Sequence, residues 1–261
     1  MVELSGVSFG YQSDKNVLDN LNLRMEEGRF YGLLGMNGSG KTTLLKLIAG
    51  KLFAHGGEIY VDGRNLRERD VETLQKVFML PADFIFPNMS LEQFLAIYSE
   101  FYPEFRKEVL NDCLVNFEIQ RDIKNLNQLS LGEKHKVAFS IALSLGTKIV
   151  LLDEAANGMD IPARKMFRKL LMKHVREDQI VVLSTHIVQD IENLLTDVIV
   201  LRKDAPVYAA SLEEIASRYS FGIQSNEEGV LYAEACTEGY HVITHKQENM
   251  DTEVSLELLF N

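Results

Sequence analysis

From Phe30 to about Leu201, short runs of β-branched and aromatic residues alternate with segments of helical periodicity. That order predicts an α/β domain on a mostly parallel sheet. Strands are predicted at Phe30 to Leu34, Val77 to Leu80, Ile149 to Leu152, Ile180 to Leu183 and Val198 to Leu201. Three of these runs are almost continuously apolar, as strands covered on both faces should be. Leu18 to Met25 and Glu58 to Val61 alternate instead, which suits an antiparallel flank.

Between Pro87 and Gly146 the pattern is helical with no intervening strand. It begins at Ser90, where Gln93 completes a capping-box spacing that ties off the first backbone N–H groups. A helical lobe, about residues 84–147, is therefore expected to be inserted into a core spanning 1–220. From 221 to 261 the chain turns acidic, with strand-like pieces at Val230 to Ala233 and His241 to Thr244. Apolar residues persist through Leu256 to Phe260, so a small folded C-terminal appendage is expected rather than a disordered tail.

Composition narrows the function classes. Among 261 residues, 27 Lys and Arg face 38 Asp and Glu, a net charge of -11. Such a balance disfavours a nucleic-acid partner. Cys113 and Cys236 lack the spacing of a zinc site and are too few for a disulfide-stapled scaffold. The longest uncharged stretch of the central region, Val137 to Thr147, falls short of the roughly 18 apolar residues that a membrane-crossing helix needs. The opening residues lack the basic start and apolar block of an export signal, so cytoplasmic residence is the expectation.

The most informative segment runs from Gly35 through Met36, Asn37, Gly38, Ser39, Gly40 and Lys41 to Thr42 and Thr43. It matches the phosphate-loop spacing, sits after a predicted strand and opens a predicted helix, Lys41 to Ala49, closed by Gly50. Glycines let the backbone curl its N–H groups inward, and the helix start adds its positive end. Lys41 would bridge the outer phosphates, and the Thr42 hydroxyl would hold Mg2+, which prefers oxygen ligands. A plain Gly-rich turn before a helix is the alternative. A second signal is the strand ending in Asp153 and Glu154. Asp153 is placed to support Mg2+ and Glu154 to orient and deprotonate an attacking water, although a solvated strand end would read the same by itself.

Between them lies the run Leu129, Ser130, Leu131, Gly132, Glu133, ahead of a helix, and the set resembles the ATP-binding subunit of an ABC transporter over about residues 1–220. The resemblance implies a P-loop NTPase core that binds ATP and Mg2+. It also implies a head-to-tail dimer in which the signature loop of one copy closes over the nucleotide of another. Ser130 and Gly132 would then face a γ-phosphate, while Ser130 also caps its own helix with Glu133. Tyr11 falls where an aromatic ring stacks on adenine, or is a core anchor. Asp160 falls in the loop that links the two composite sites, and as the N-cap before Ile161 and Pro162 it can fill both roles. His186 matches the histidine that contacts the γ-phosphate. The family's usual signature has Gly and Gln where Leu131 and Glu133 stand.

One position departs from the family's pattern. After Leu80 a Gln that joins the metal shell is usual, and here Pro81 is followed by Ala82 and Asp83. A methyl group cannot coordinate magnesium; Asp83 or water could substitute, or the alignment could slip by one. The leading expectation is an ATPase subunit of an exporter, docked on a separate permease, with a second copy or a paralogue completing the dimer. Phe84, Phe86, Phe94 and Tyr98 are candidate groove residues for a permease helix. The other readings are a soluble ATP-gated clamp and an ATP-binding regulatory module with little hydrolysis.

Overall fold

The computed structural model describes residues 1–12, 15–185, 191–203, 205–246 and 253–260. In chain order its elements begin with β1 (Val2–Phe9), β2 (Leu18–Met25), β3 (Arg29–Gly35), α1 (Lys41–Ile48), β4 (Gly56–Val61) and β5 (Arg64–Asn65). The middle of the chain holds α2 (Val71–Gln75), β6 (Val77–Leu80), α3 (Leu91–Phe101), α4 (Lys107–Asn116), α5 (Leu131–Ser144), β7 (Ile149–Asp153) and α6 (Ile161–His174). The last third holds β8 (Ile180–Ser184), β9 (Asp197–Leu201), β10 (Tyr208–Ser211), α7 (Leu212–Arg218), β11 (Tyr219–Gln224), β12 (Tyr232–Cys236), β13 (Gly239–His245) and α8 (Leu256–Phe260).

The central sheet has the order β10-β9-β3-β8-β7-β6 and is parallel apart from β10 on β9. Its middle strands read as unbroken apolar runs because both faces are covered. Ile149 and Leu151 of β7 enter the core shared with α1 and the flank, whereas Val150 and Leu152 enter the core under the helical lobe. β8 divides in the same way, with Ile180 and Val182 on one side and Val181 and Leu183 on the other. Because β3 and β7 both neighbour β8, the loops that follow them open at the same end of the sheet. Ligands bind there in open parallel sheets.

The flank is an antiparallel sheet, β2-β1-β4-β5, as the alternating runs predict. β1 was not among the predicted strands: its pattern is interrupted at Gly6 and Ser8, where the register with both neighbours shifts. β10 and α7 were also not predicted. The lobe contains α3, α4 and α5 without a strand, and both predicted capping boxes are present, at Ser90 with Gln93 and at Ser130 with Glu133. α1 stops at Ile48 rather than Ala49, which serves as its C-cap ahead of Gly50 at φ 64°.

The C-terminal strands form a separate sheet, β11-β13-β12. The strand predicted at Val230 to Ala233 is displaced to β12, because the turn at Thr237 and Glu238 fixes Cys236 opposite Gly239. This sheet is not isolated from the core: Phe221, Ile243, Leu256 and Leu258 join the cluster under the lobe. α8 is tied at both ends, with the Leu256 N–H donating to Glu192 Oε1 at 3.1 Å and Arg202 Nη2 donating to the Leu259 carbonyl at 3.3 Å.

Candidate active site

The loop after β3 holds its shape through its own backbone. The Ser39 N–H donates to the Met36 carbonyl at 3.1 Å, and Leu44 N–H to Gly40 at 2.8 Å opens α1. Gly40, the N-cap, sits at φ 101° with Val17 and Leu18 packed where a Cβ would stand, so only glycine fits. Gly35 is as constrained: a Cβ there would press on Ser39 Oγ and lie 2.6 Å from the Leu201 carbonyl.

Lys41 lies almost buried, at 8% exposure, with Nζ donating to the Gly35 carbonyl at 2.6 Å and to Met36 at 3.2 Å. Burial pulls its pKa down, and the nearby charges of Glu154 and Asp153 push it back. Thr42 Oγ1 donates to Asp153 Oδ2 at 2.7 Å, joining the start of α1 to the end of β7 across 111 residues of sequence. This pair offers two hard oxygen donors side by side, the ligand chemistry that Mg2+ takes.

Tyr11 presents an exposed ring set edge-on to Phe9, with centroids 5.1 Å apart, and its hydroxyl lies 3.2 Å from Thr43 Oγ1. A groove of about 1120 Å³ runs from Tyr11 and Lys15 past Asn37, Gly38 and Ser39 to Arg202. The structure thus brings together Tyr11, Asn37 to Thr43 and Asp153. Glu154 follows at φ 53°, a left-handed conformation that costs a non-glycine residue about 1–3 kcal/mol. Two backbone bonds hold it there: its N–H donates to Ser184 and its carbonyl accepts from Asn157, both at 2.9 Å. Strain of this kind concentrates at functional positions.

Ser130 caps α5 tightly. Its N–H and its hydroxyl both donate to Glu133 Oε2, at 2.9 and 2.6 Å, and these bonds hold the Glu133 carboxyl below the usual carboxylate pKa. Gly132 lies against the loop after Glu154; a Cβ on it would stand 3.1 Å from the Gly158 carbonyl. Asp160 caps α6 by accepting the Ala163 N–H at 2.8 Å, with Pro162 in the first turn. Leu131 and Ile161 stand beside these caps, 65% and 67% exposed. His186 lies outside the described residues.

An apolar groove of about 540 Å³ opens between β6 and the lobe, lined by Phe78, Phe84, Ile85, Phe86, Phe94 and Tyr98 among others. Of the predicted groove residues, Phe86 and Phe94 line it while nearly buried, whereas Ile85, which was not singled out, is 88% exposed. Ala82 is half-buried and Asp83 exposed on the loop leading to it. Sequence reading also missed His135, which is buried on α5. The signal was available: positions 135, 138 and 142 fall on one helical stripe with the apolar Ala138 and Ala142.

Comparison with known proteins follows the same lines. Residues 18–157 match the family model described as ABC transporter. The ABC transporter ATP-binding protein NatA of Bacillus subtilis is 30% identical over 225 residues, covering 82% of this chain and 91% of NatA. YtrB of the same organism, also an ABC transporter ATP-binding protein, is 28% identical over 220 residues, 84% of this chain and 75% of YtrB. Among solved structures, a dimeric ATP-binding cassette in a post-hydrolysis state bound to ADP and phosphate superposes with a TM-score of 0.70 at 26% identity. It covers 81% of this chain and 99% of that one.

Proposed function

The chain belongs to the ABC transporter ATP-binding family, and from that premise we propose that this ATPase powers a separate membrane permease, in the export direction, by ATP-driven closure of two copies. The observation that carries the site is the Thr42–Asp153 hydrogen bond beside the buried Lys41. In this reading the amides from Asn37 to Thr43, with Gly38, Ser39 and Gly40 shaping the loop, receive the phosphates, and Lys41 turns from its own carbonyls to the outer ones. Tyr11 stacks on the base. Thr42 and Asp153 hold Mg2+, which when bound neutralises charge on the phosphates.

Glu154 orients the attacking water and accepts its proton, a role worth about a hundredfold to ten-thousandfold in rate. His186 contacts the γ-phosphate. Ser130 and Gly132 of a second copy close over the nucleotide, and Asp160 links the two composite sites. The apolar groove receives a short helix of the permease. In this reading the permease is a separate chain that holds the subunit at the inner face of the membrane; no helix of the described residues is long and apolar enough to cross a membrane.

A second reading, an ATP-binding module that barely hydrolyses, is favoured by Ala82, which brings no metal-binding oxygen. One measurement separates the two: steady-state phosphate release by the purified chain and by Glu154→Gln. The ATPase reading expects a fall of at least a hundredfold in the variant with ATP binding retained. Equal rates near background in both proteins would make the chain the regulatory module.

A further inference from the structure

His135 is a polar residue in an apolar place. It stands on the inward stripe of α5, 5% exposed, and its Nδ1 has no hydrogen-bond partner among the described residues. Burial holds its pKa below the ordinary histidine value, so the ring is neutral at neutral pH. A leucine would fill the space without burying an unsatisfied nitrogen. What the ring has that a leucine lacks is its set of directed contacts.

Those contacts reach two other segments. The backbone of Ala155, the residue that follows Glu154, faces the ring and offsets part of the effect of burial on it. Its Cδ2 lies 3.7 Å from where a Cβ of Gly158 would stand. On the other side it meets Phe84 edge-on, with centroids 5.1 Å apart at 73°. From Phe84 the rings continue in contact, to Phe86 at 5.3 Å, from there to Phe94 at 5.6 Å, and on to Tyr98, stacked at 4.2 Å. All four of those rings line the apolar groove. An unbroken series of packed rings therefore runs from the groove to the peptide that carries Glu154, and His135 is its last member.

We propose that His135 is a positioning residue that ties the aromatic wall of the groove to the Ala155–Gly158 backbone and so fixes the direction of the Glu154 carboxylate. The proposal rests on the reading of Glu154 as the group that handles the attacking water. It requires His135 to act on the chemical step and not on nucleotide capture, because the ring series ends beside the peptide that follows Glu154. It also requires that loosening Phe84 at the groove be felt at Ala155 through the imidazole.

The test compares His135→Leu, His135→Gln, Phe84→Leu and the Phe84→Leu/His135→Leu double variant with the parent chain, Glu154→Gln serving as the inactive control. His135→Leu should lower kcat about tenfold with the KM for ATP within twofold. His135→Gln, which keeps an N–H donor, should recover at least half of that loss. The double variant should be no slower than His135→Leu alone, since the link is already cut. Hydrogen exchange supplies a readout besides activity: amides 155–159 should exchange faster in His135→Leu and Phe84→Leu, with α1 unchanged. Unaltered exchange at 155–159, a kcat within twofold of the parent, or a loss that glutamine does not recover would overturn the proposal. A parent chain whose phosphate release Glu154→Gln does not reduce would instead overturn the reading of Glu154, even if the exchange result held.

Discussion

The phosphate loop and the signature face are both helix N-termini, yet they are finished to different degrees. Around Lys41 the ammonium is satisfied inside the chain by two carbonyls and Thr42 by Asp153, while the buried Ser39 Oγ has no partner among the described residues. Around Ser130 and Asp160 the caps are closed, but Leu131 and Ile161 stand mostly in solvent beside them. Exposed large apolar side chains rimmed by polar groups mark contact surfaces. One region can meet a nucleotide by itself, whereas the other has the look of half an interface. The contrast accords with a site that two copies complete, and it can be attacked from either side.

The largest effect belongs to the finished half. Lys41→Ala removes the only cation buried in the loop, and a charge-assisted bond to phosphate is about twice as strong as a neutral one. Titration calorimetry should find ATP affinity reduced at least a hundredfold, while far-ultraviolet circular dichroism stays unchanged because Gly35 and Met36 can bond water instead. An unaltered affinity would remove the nucleotide from this loop and leave the comparison without its first term.

The unfinished half should respond in the opposite sense. Leu131→Asp places a charge on an exposed site, where folding stability moves by only about 0.5 kcal/mol. In a Glu154→Gln background with ATP, sedimentation velocity should show dimer formation weakened at least tenfold. ATP affinity of the monomer should stay within twofold. If association survives the aspartate, the exposed leucine is not part of an interface and the face is simply a capped helix.

These two halves were also unequally legible. Phosphate loop, strand end and capping boxes are contiguous in sequence, because a few neighbouring residues suffice to bend a backbone around an anion or to tie off a helix. Val77 to Leu80 and Leu18 to Met25 likewise carry their own pattern and coincide with β6 and β2. What could not be read is what contact across distance decides. β1 loses its alternation at a register shift imposed by two neighbours. β12 slips because a turn after it fixes the pairing. The meeting of His135 with Phe84 and Ala155 joins three segments that no local spacing relates, and the burial of Phe86 and Phe94 depends on how the lobe settles against β6. The Thr42–Asp153 bond is the exception, legible because two local motifs each predict an oxygen ligand for one ion.

The smallest effect sharpens the comparison most, since it separates a residue's local work from its work toward a second copy. Asp160 caps α6 through the Ala163 N–H, and replacing such a cap by alanine costs about 1 kcal/mol. For a chain of this size that lowers Tm by roughly 2–4 °C. Asparagine caps as well as aspartate, so Asp160→Asn should melt within a degree or so of the parent. If the cap is all that Asp160 does, Asp160→Asn should also dimerise like the parent with ATP. If its charge links the composite sites, dimerisation should weaken severalfold in the asparagine variant while Tm holds. Calorimetric melting and sedimentation on the same two variants therefore decide whether this residue belongs to the finished structure of one chain or to the interface that two chains complete.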